Sequence, residues 1–175
     1  MIHEWYEEAG KLHGHYCPGL AIGVRAAAEA LEILGTEEEN GRYCIAESRA
    51  CYIDGIQWVF GTSLGNGRLE IRDRGKVAFN FYDRTSGKGV RLVDRDWPKD
   101  LDRPALIEYL LTAPREQVFS LTEVRFDPPP DIFVREPSQK CAHCGEDCRE
   151  SALRVRNGAL VCMDCAETID RLTRE

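Results

Sequence analysis

The chain has 175 residues, 43% of them hydrophobic and 30% charged, the balance of a globular protein rather than a disordered or fibrous one. That length supports one core of ordinary domain size with a small appendage, and a net charge of -7 argues against a surface built to hold nucleic acid, which needs an excess of Lys and Arg. No apolar run approaches the roughly 20 residues that cross a bilayer, and the acidic stretch "MIHEWYEEAG" is unlike a signal peptide, so a cytoplasmic protein with no membrane partner is expected.

Trp5, Ala9 and Leu12 recur at helical spacing and predict a short helix over residues 3 to 12. From Pro18 to Leu34, Leu20, Val24, Ala27, Ala28, Leu31 and Leu34 recur at three and four; Pro18 suits the first helical turn and Gly35 the stop. "GRYCIAES" alternates like a half-buried strand, with Tyr43 and Ile45 on one side and Cys44 and Ala46 on the other. A further helix is predicted from about Arg49 to Phe60. "GTSLGNGRL" lacks the lysine of a phosphate-binding loop and reads as a hairpin turn. The runs "RLEIRD", "KVAFNFYD" and "GVRLVD", set off by Asn66-Gly67, Arg74-Gly75 and Ser86-Gly87, predict an antiparallel meander. "RPALIEYLLTA" is a helix opened by Pro104 and ended before Pro114, and "QVFSLTEVRF" is one more strand. "DPPPDIFVREPSQK" stiffens the chain into an extended connection. The expected fold class is α+β: helices packed on an antiparallel sheet over residues 1–127, a proline-rich linker over 128–140, and a small four-cysteine zinc finger over 141–175.

The chain has eight cysteines, and in a reducing cytoplasm these point to metal binding or catalysis rather than disulfides. Cys141-x2-Cys144 and Cys162-x2-Cys165, seventeen residues apart, match a site in which two short loops each deliver two thiolates to one tetrahedral zinc ion. His143 and Cys148 stand close enough in sequence to substitute for a ligand. Four thiolates close the coordination sphere, so a structural role is expected, and a segment this small needs its ion to fold. With six Lys and Arg against eight Asp and Glu over residues 136–175, the finger fits a protein contact better than DNA.

The stretch "LHGHYCPGL" poses a second metal question. Cys17 precedes Pro18, which places its sulfur at the positive end of the best helix, where a thiolate is stabilised. His13 and His15 would share a side if that lead-in is extended, close enough to converge with Cys17 on one transition-metal ion. In "ESRACYIDGIQ", Cys51 and Asp54 are three apart, on one face of a helix that could meet the same point. The alternative is that Cys51 is a small buried residue and Asp54 a solvated or capping one. Cys44, in mid-strand, reads as core packing, and the cations Arg68, Arg72, Arg74, Lys76, Arg84, Lys88 and Arg91 read mostly as a solvated face with room for some to receive an anionic substrate.

"HGHYCPGLAIGVRAAAEAL" followed by "ESRACYIDGIQWVFGTSLGNGRLEIRDRGKVAFNFYD" resembles the FmdE family, named for a component of formylmethanofuran dehydrogenase, over about residues 10 to 85, and the terminal cysteines resemble a TraR/DksA-type zinc finger. The resemblance implies an α+β core, often paired into a homodimer, and an association with molybdenum or tungsten dehydrogenase subunits. It also implies a core metal, zinc or another transition ion, held by His15, Cys17 and Cys51, with His13 and Asp54 as outer or alternative ligands. At Thr62-Ser63 many relatives have Cys-Thr, and the missing thiol weakens the case for cysteine-pair redox chemistry. The leading expectation is an accessory or electron-handling metalloprotein. An enzyme using Cys17, Cys51 and Asp54 on a small carbonyl or anionic substrate, and a regulatory zinc-finger module, are the alternatives.

Overall fold

The computed structural model describes residues 1–35, 41–125 and 135–167. They fall into two compact units, Met1–Ile132 and Phe133–Glu175. Among the described residues no helix is long and apolar enough to cross a membrane.

The first unit is built around helix α2 (Pro18–Leu34), which touches helix α1 (Ile2–His13), helix α3 (Tyr52–Phe60), helix α4 (Arg103–Thr112) and two strands of the sheet. Its composition explains that central place: PGLAIGVRAAAEALEIL carries alanine or glycine wherever a neighbour presses closest, so the helix is buried on nearly every side. Even Glu29 is buried, its carboxylate taking Nε of Arg25 at 2.8 Å and Nη1 of Arg115 at 3.3 Å. Gly35, in the left-handed conformation, stops the helix by donating to the Leu31 carbonyl.

The sheet contains β1 (Arg42–Ala46), β2 (Leu69–Ile71), β3 (Ala78–Asp83), β4 (Lys88–Asp94) and β5 (Phe119–Arg125), in the order β2-β1-β3-β4-β5. A short helix α5 (Arg115–Val118) leads into β5. β3, β4 and β5 run antiparallel as expected, and β1 joins β3 antiparallel with Tyr43 opposite Tyr82. β2 corrects the expected meander: it pairs with β1 in parallel, not with β3. The reason is α3, which lies between β1 and β2 and supplies the crossover that parallel neighbours require. "GTSLGNGRL" is accordingly no hairpin but the return from α3 to β2. Asn66 Oδ1 accepts from the Ser63 and Arg68 N–H groups at 2.9 and 3.0 Å, and the Ser63 hydroxyl oxygen accepts from Asn66 N–H.

Alternation along β1 sorts the faces as its pattern predicts. Cys44 and Ala46 join Phe79, Phe81, Val90, Leu92 and Phe119 under the helices, while Tyr43 and Ile45 pack with Tyr82 and Val124 on the other side. Burial pushes the Cys44 thiol up, as befits a core residue. On the second face Glu47, 3% exposed, receives Nε and Nη2 of Arg91 at 2.6 and 2.8 Å and the Asn80 amide at 3.0 Å. The Arg91 bonds hold its carboxyl down to about 2.

The second unit is two hairpins. β6 (Ser138–Lys140) pairs with β7 (Asp147–Arg149), and β8 (Leu153–Arg156) with β9 (Ala159–Cys162), followed by the four-residue helix α6 (Met163–Ala166). The end of the expected proline-rich connection thus forms β6, while its residues 128–134 lie outside the described residues. Helix α6 begins at Met163, and residues 168–175 also lie outside the described residues.

Candidate metal centres

The backbones of α2 and α3 touch. A Cβ added to Gly23 would lie 2.2 Å from the Tyr52 carbonyl oxygen, and one added to Gly55 would lie 2.8 Å from the Leu20 carbonyl oxygen and the Val24 nitrogen. Only glycine permits that approach. At the same seam a Cβ on Gly19 would come within 3.2 Å of Cys51 Cβ. Two helices crossing this closely bring their amino ends together, and the residues at those ends are the N-caps Cys17 and Cys51.

α3 starts at Tyr52, later than the expected Arg49, because the chain before it is held to the sheet edge. Glu47 N–H donates to the Ala78 carbonyl, Arg74 N–H donates to the Glu47 carbonyl, and Ser48 bonds the Tyr52 hydroxyl. Cys51 is therefore a cap and Asp54 a first-turn residue, where a carboxylate suits the helix dipole. Cys17 is 6% exposed, and its sulfur accepts the Leu20 N–H at 3.3 Å, filling the place of a capping oxygen.

α1 supplies the imidazoles. His13 is its last residue and Gly14, at φ 85°, reverses the chain, so His13 and His15 meet with ring centroids 4.3 Å apart. The extended lead-in expected for them is replaced by this turn, made possible by a glycine in the left-handed region. The Tyr6 hydroxyl steadies the next residues by donating to the Cys17 carbonyl at 3.3 Å. One donor atom each from His13, His15, Cys17 and Cys51 then lies within 4.8 Å of the others, a group that could hold a metal ion.

Chemistry inside this group supports that use. His13 Nδ1 donates to Asp54 Oδ2 at 2.6 Å, and Asp54 Oδ1 accepts the Gln57 amide at 3.2 Å. A carboxylate can only accept, so the His13 proton sits on Nδ1 and Nε2 presents a lone pair. That Nε2 is buried and has no hydrogen-bond partner, an arrangement that fits an ion-binding imidazole held by a carboxylate. The structure thus puts His13 among the clustered donors and Asp54 behind it, where the resemblance implied outer or alternative places for both. Burial, and then the adjacent Cys17 thiol, pushes the Cys51 thiol up, a proton that an ion would displace. Gln57 carried no signal of its own beyond standing three residues from Asp54 on the helix. Thr62 follows the far end of α3, about 13 Å from Cys51 at the helical rise per residue, fully buried and outside the group. Replacing Asp54 with Asn is expected to weaken the core ion by about 10- to 100-fold, measured by competition with a chromophoric chelator; unchanged affinity would remove Asp54 from the centre.

The second unit brings Cys141, Cys144, Cys162 and Cys165 together, their sulfurs also within 4.8 Å of one another. The Cys141 sulfur accepts N–H groups of His143, Cys144 and Cys162 at 3.4, 3.5 and 3.3 Å, and those from Cys144 and Cys162 lead in holding its thiol down to about 6. Gly145, at φ 77°, gives the knuckle its turn and donates to the Cys141 carbonyl. His143 abuts the cluster, Nδ1 lying 3.5 Å from the Cys165 sulfur. Cys148 packs against Cys141, Val161 and Cys162.

Residues 12–120 match the family model described as FmdE, molybdenum formylmethanofuran dehydrogenase operon. A curated protein of Archaeoglobus fulgidus, described as a probable S-adenosyl-L-methionine-binding protein, is 29% identical over 93% of this chain. The chain spans 56% of that relative's length. The crystal structure of an FmdE-like protein of the tungsten formylmethanofuran dehydrogenase type, from Syntrophus aciditrophicus, shares the fold, with a TM-score of 0.71, 21% identity, and coverage of 98% of this chain and 95% of the other.

Proposed function

We propose, from the premise that this chain belongs to the FmdE family, that it is a cytoplasmic accessory metalloprotein serving molybdenum or tungsten formylmethanofuran dehydrogenase. It holds one transition-metal ion on His13, His15, Cys17 and Cys51 and one structural zinc ion on Cys141, Cys144, Cys162 and Cys165. One observation carries the core centre: the buried, unpartnered Nε2 of His13, whose other nitrogen is fixed by Asp54. A sulfur and imidazole donor set suits zinc, iron or copper over magnesium or calcium.

The geometry favours an accessory or electron-handling role over independent catalysis. Four converging donors fill a tetrahedral sphere, and none of the four core donors lines the described cavities of about 560, 380 and 140 Å³. Arg91, one of the cations read mostly as a solvated face with room for some to receive an anionic substrate, is clamped to Glu47. Pairing into a homodimer belongs to the same reading.

Metal analysis of the anaerobically purified full chain is expected to give two ions per chain, falling to one in Cys17→Ser. An unchanged count in that variant would overturn the core centre. Anaerobic co-elution with a formylmethanofuran dehydrogenase tests the partnership, and independent elution would remove it while leaving the ions in place.

A further inference from the structure

We infer that Cys148 is a resolving cysteine for the second metal centre: on exposure to a peroxide it forms a disulfide with Cys162 and thereby releases the ion. The inference goes beyond the accessory role and rests on the reading that Cys141, Cys144, Cys162 and Cys165 hold an ion.

Five cysteines crowd a site with four coordination positions. β7 pairs with β6 so that Cys148 stands opposite Gln139, two residues before Cys141. There it packs half-buried against Cys141, Val161 and Cys162. The charged or titratable groups facing it are the thiols of Cys162, Cys141 and Cys144, with Cys162 foremost. Its thiol donates weakly to the Glu146 carbonyl at 3.6 Å. The knuckle turn and the backbone N–H groups that serve a thiolate are given to Cys141 instead. Cys148 is thus a thiol held at the centre with no duty toward an ion.

Such a neighbour changes the chemistry of oxidation. An ion-bound thiolate is deprotonated and remains a nucleophile, and a second thiol within reach traps its first oxidation product before further damage. The Cys162 thiolate attacks one peroxide oxygen; the O–O bond breaks, hydroxide leaves and Cys162 becomes a sulfenic acid. The Cys148 sulfur then attacks the Cys162 sulfur, the S–S bond forms, and the sulfenic oxygen departs as water with the Cys148 proton. In sum, one thiolate, one thiol and hydrogen peroxide give one disulfide, one water and one hydroxide. Each sulfur loses one electron and the peroxide gains both. The centre keeps three sulfurs of its four, and a thiol reductant restores the fourth.

The test uses the full chain in the Cys17→Ser background, so that only the second centre contributes metal. Hydrogen peroxide is added to the zinc-loaded protein, released zinc is followed with a colorimetric chelator, and disulfides are mapped by mass spectrometry after proteolysis. The expected result is a Cys148–Cys162 disulfide formed in step with zinc release, with zinc rebinding after reduction. Cys148→Ser should bind zinc normally before oxidation and release it at least about tenfold more slowly. Equal release from both proteins, or a disulfide that omits Cys148, overturns the inference and leaves the metal centre standing. Absence of zinc from the untreated protein overturns the metal reading itself, and the inference with it.

Discussion

Stripping the ion from the second unit, by a strong chelator or by Cys141→Ser, is expected to unfold residues 138–162 while the sheet of the first unit stays intact. Among the described residues of the second unit, the buried hydrophobic side chains are Cys141, Leu153, Val161 and Cys162, a small core. Its strands are two short hairpins of three and four residues, which are marginal in water without a hydrophobic face to share. Against that, a structural zinc ion contributes about 10–16 kcal/mol in small finger peptides. Hydrogen exchange checks the outcome. Protection in β8 and β9 should vanish on chelation while protection in β3 and β4 persists; retained protection in the hairpins would show that the unit folds without its ion.

Gly23→Ala should damage both the fold and the core centre. Alanine is the better helix former by about 1 kcal/mol, so an unobstructed site would gain stability. Here the new methyl group would sit 2.2 Å from the Tyr52 carbonyl oxygen, a backbone atom that cannot swing aside. Overpacking of this kind costs about 1–3 kcal/mol or more, and the relief available is for α2 and α3 to separate. Separation moves Cys17 from Cys51, so the variant should combine a lowered denaturation midpoint with loss of the core ion. Gly65→Ala, whose nearest neighbour would be the Ser63 hydroxyl oxygen at 3.9 Å, is the control and should change neither. A Gly23→Ala protein with wild-type stability and full metal would show that the glycine seam does not set the centre.

Much of this architecture could be read from residue order. Helical periodicity with Pro18 and Gly35 as punctuation marked α2, alternation sorted the faces of β1, and the paired CxxC loops marked the second centre. The pairing of β2 escaped, because three residues, Leu69, Glu70 and Ile71, carry no sign of whether their partner runs parallel or antiparallel. That depended on α3 acting as a crossover. The donor types of the core group were legible, but their arrangement was not. His13 and Asp54 are 41 positions apart, and their bond exists because α1 and α3 pack together. Gly23 and Gly55 likewise look like weak points in helices until the two backbones are seen in contact.

The glycine seam also bears on how two centres divide a scarce supply of metal. The donors of the core group stand at the ends of helices held together by backbone contact at Gly23 and Gly55, so an ion captured there would meet donors already assembled. The second group must draw on the energy of capture to order its own hairpins. If both groups bind ions, limiting metal should fill the core group before the terminal one, and equal filling in a metal titration would show that pre-assembly does not set the order.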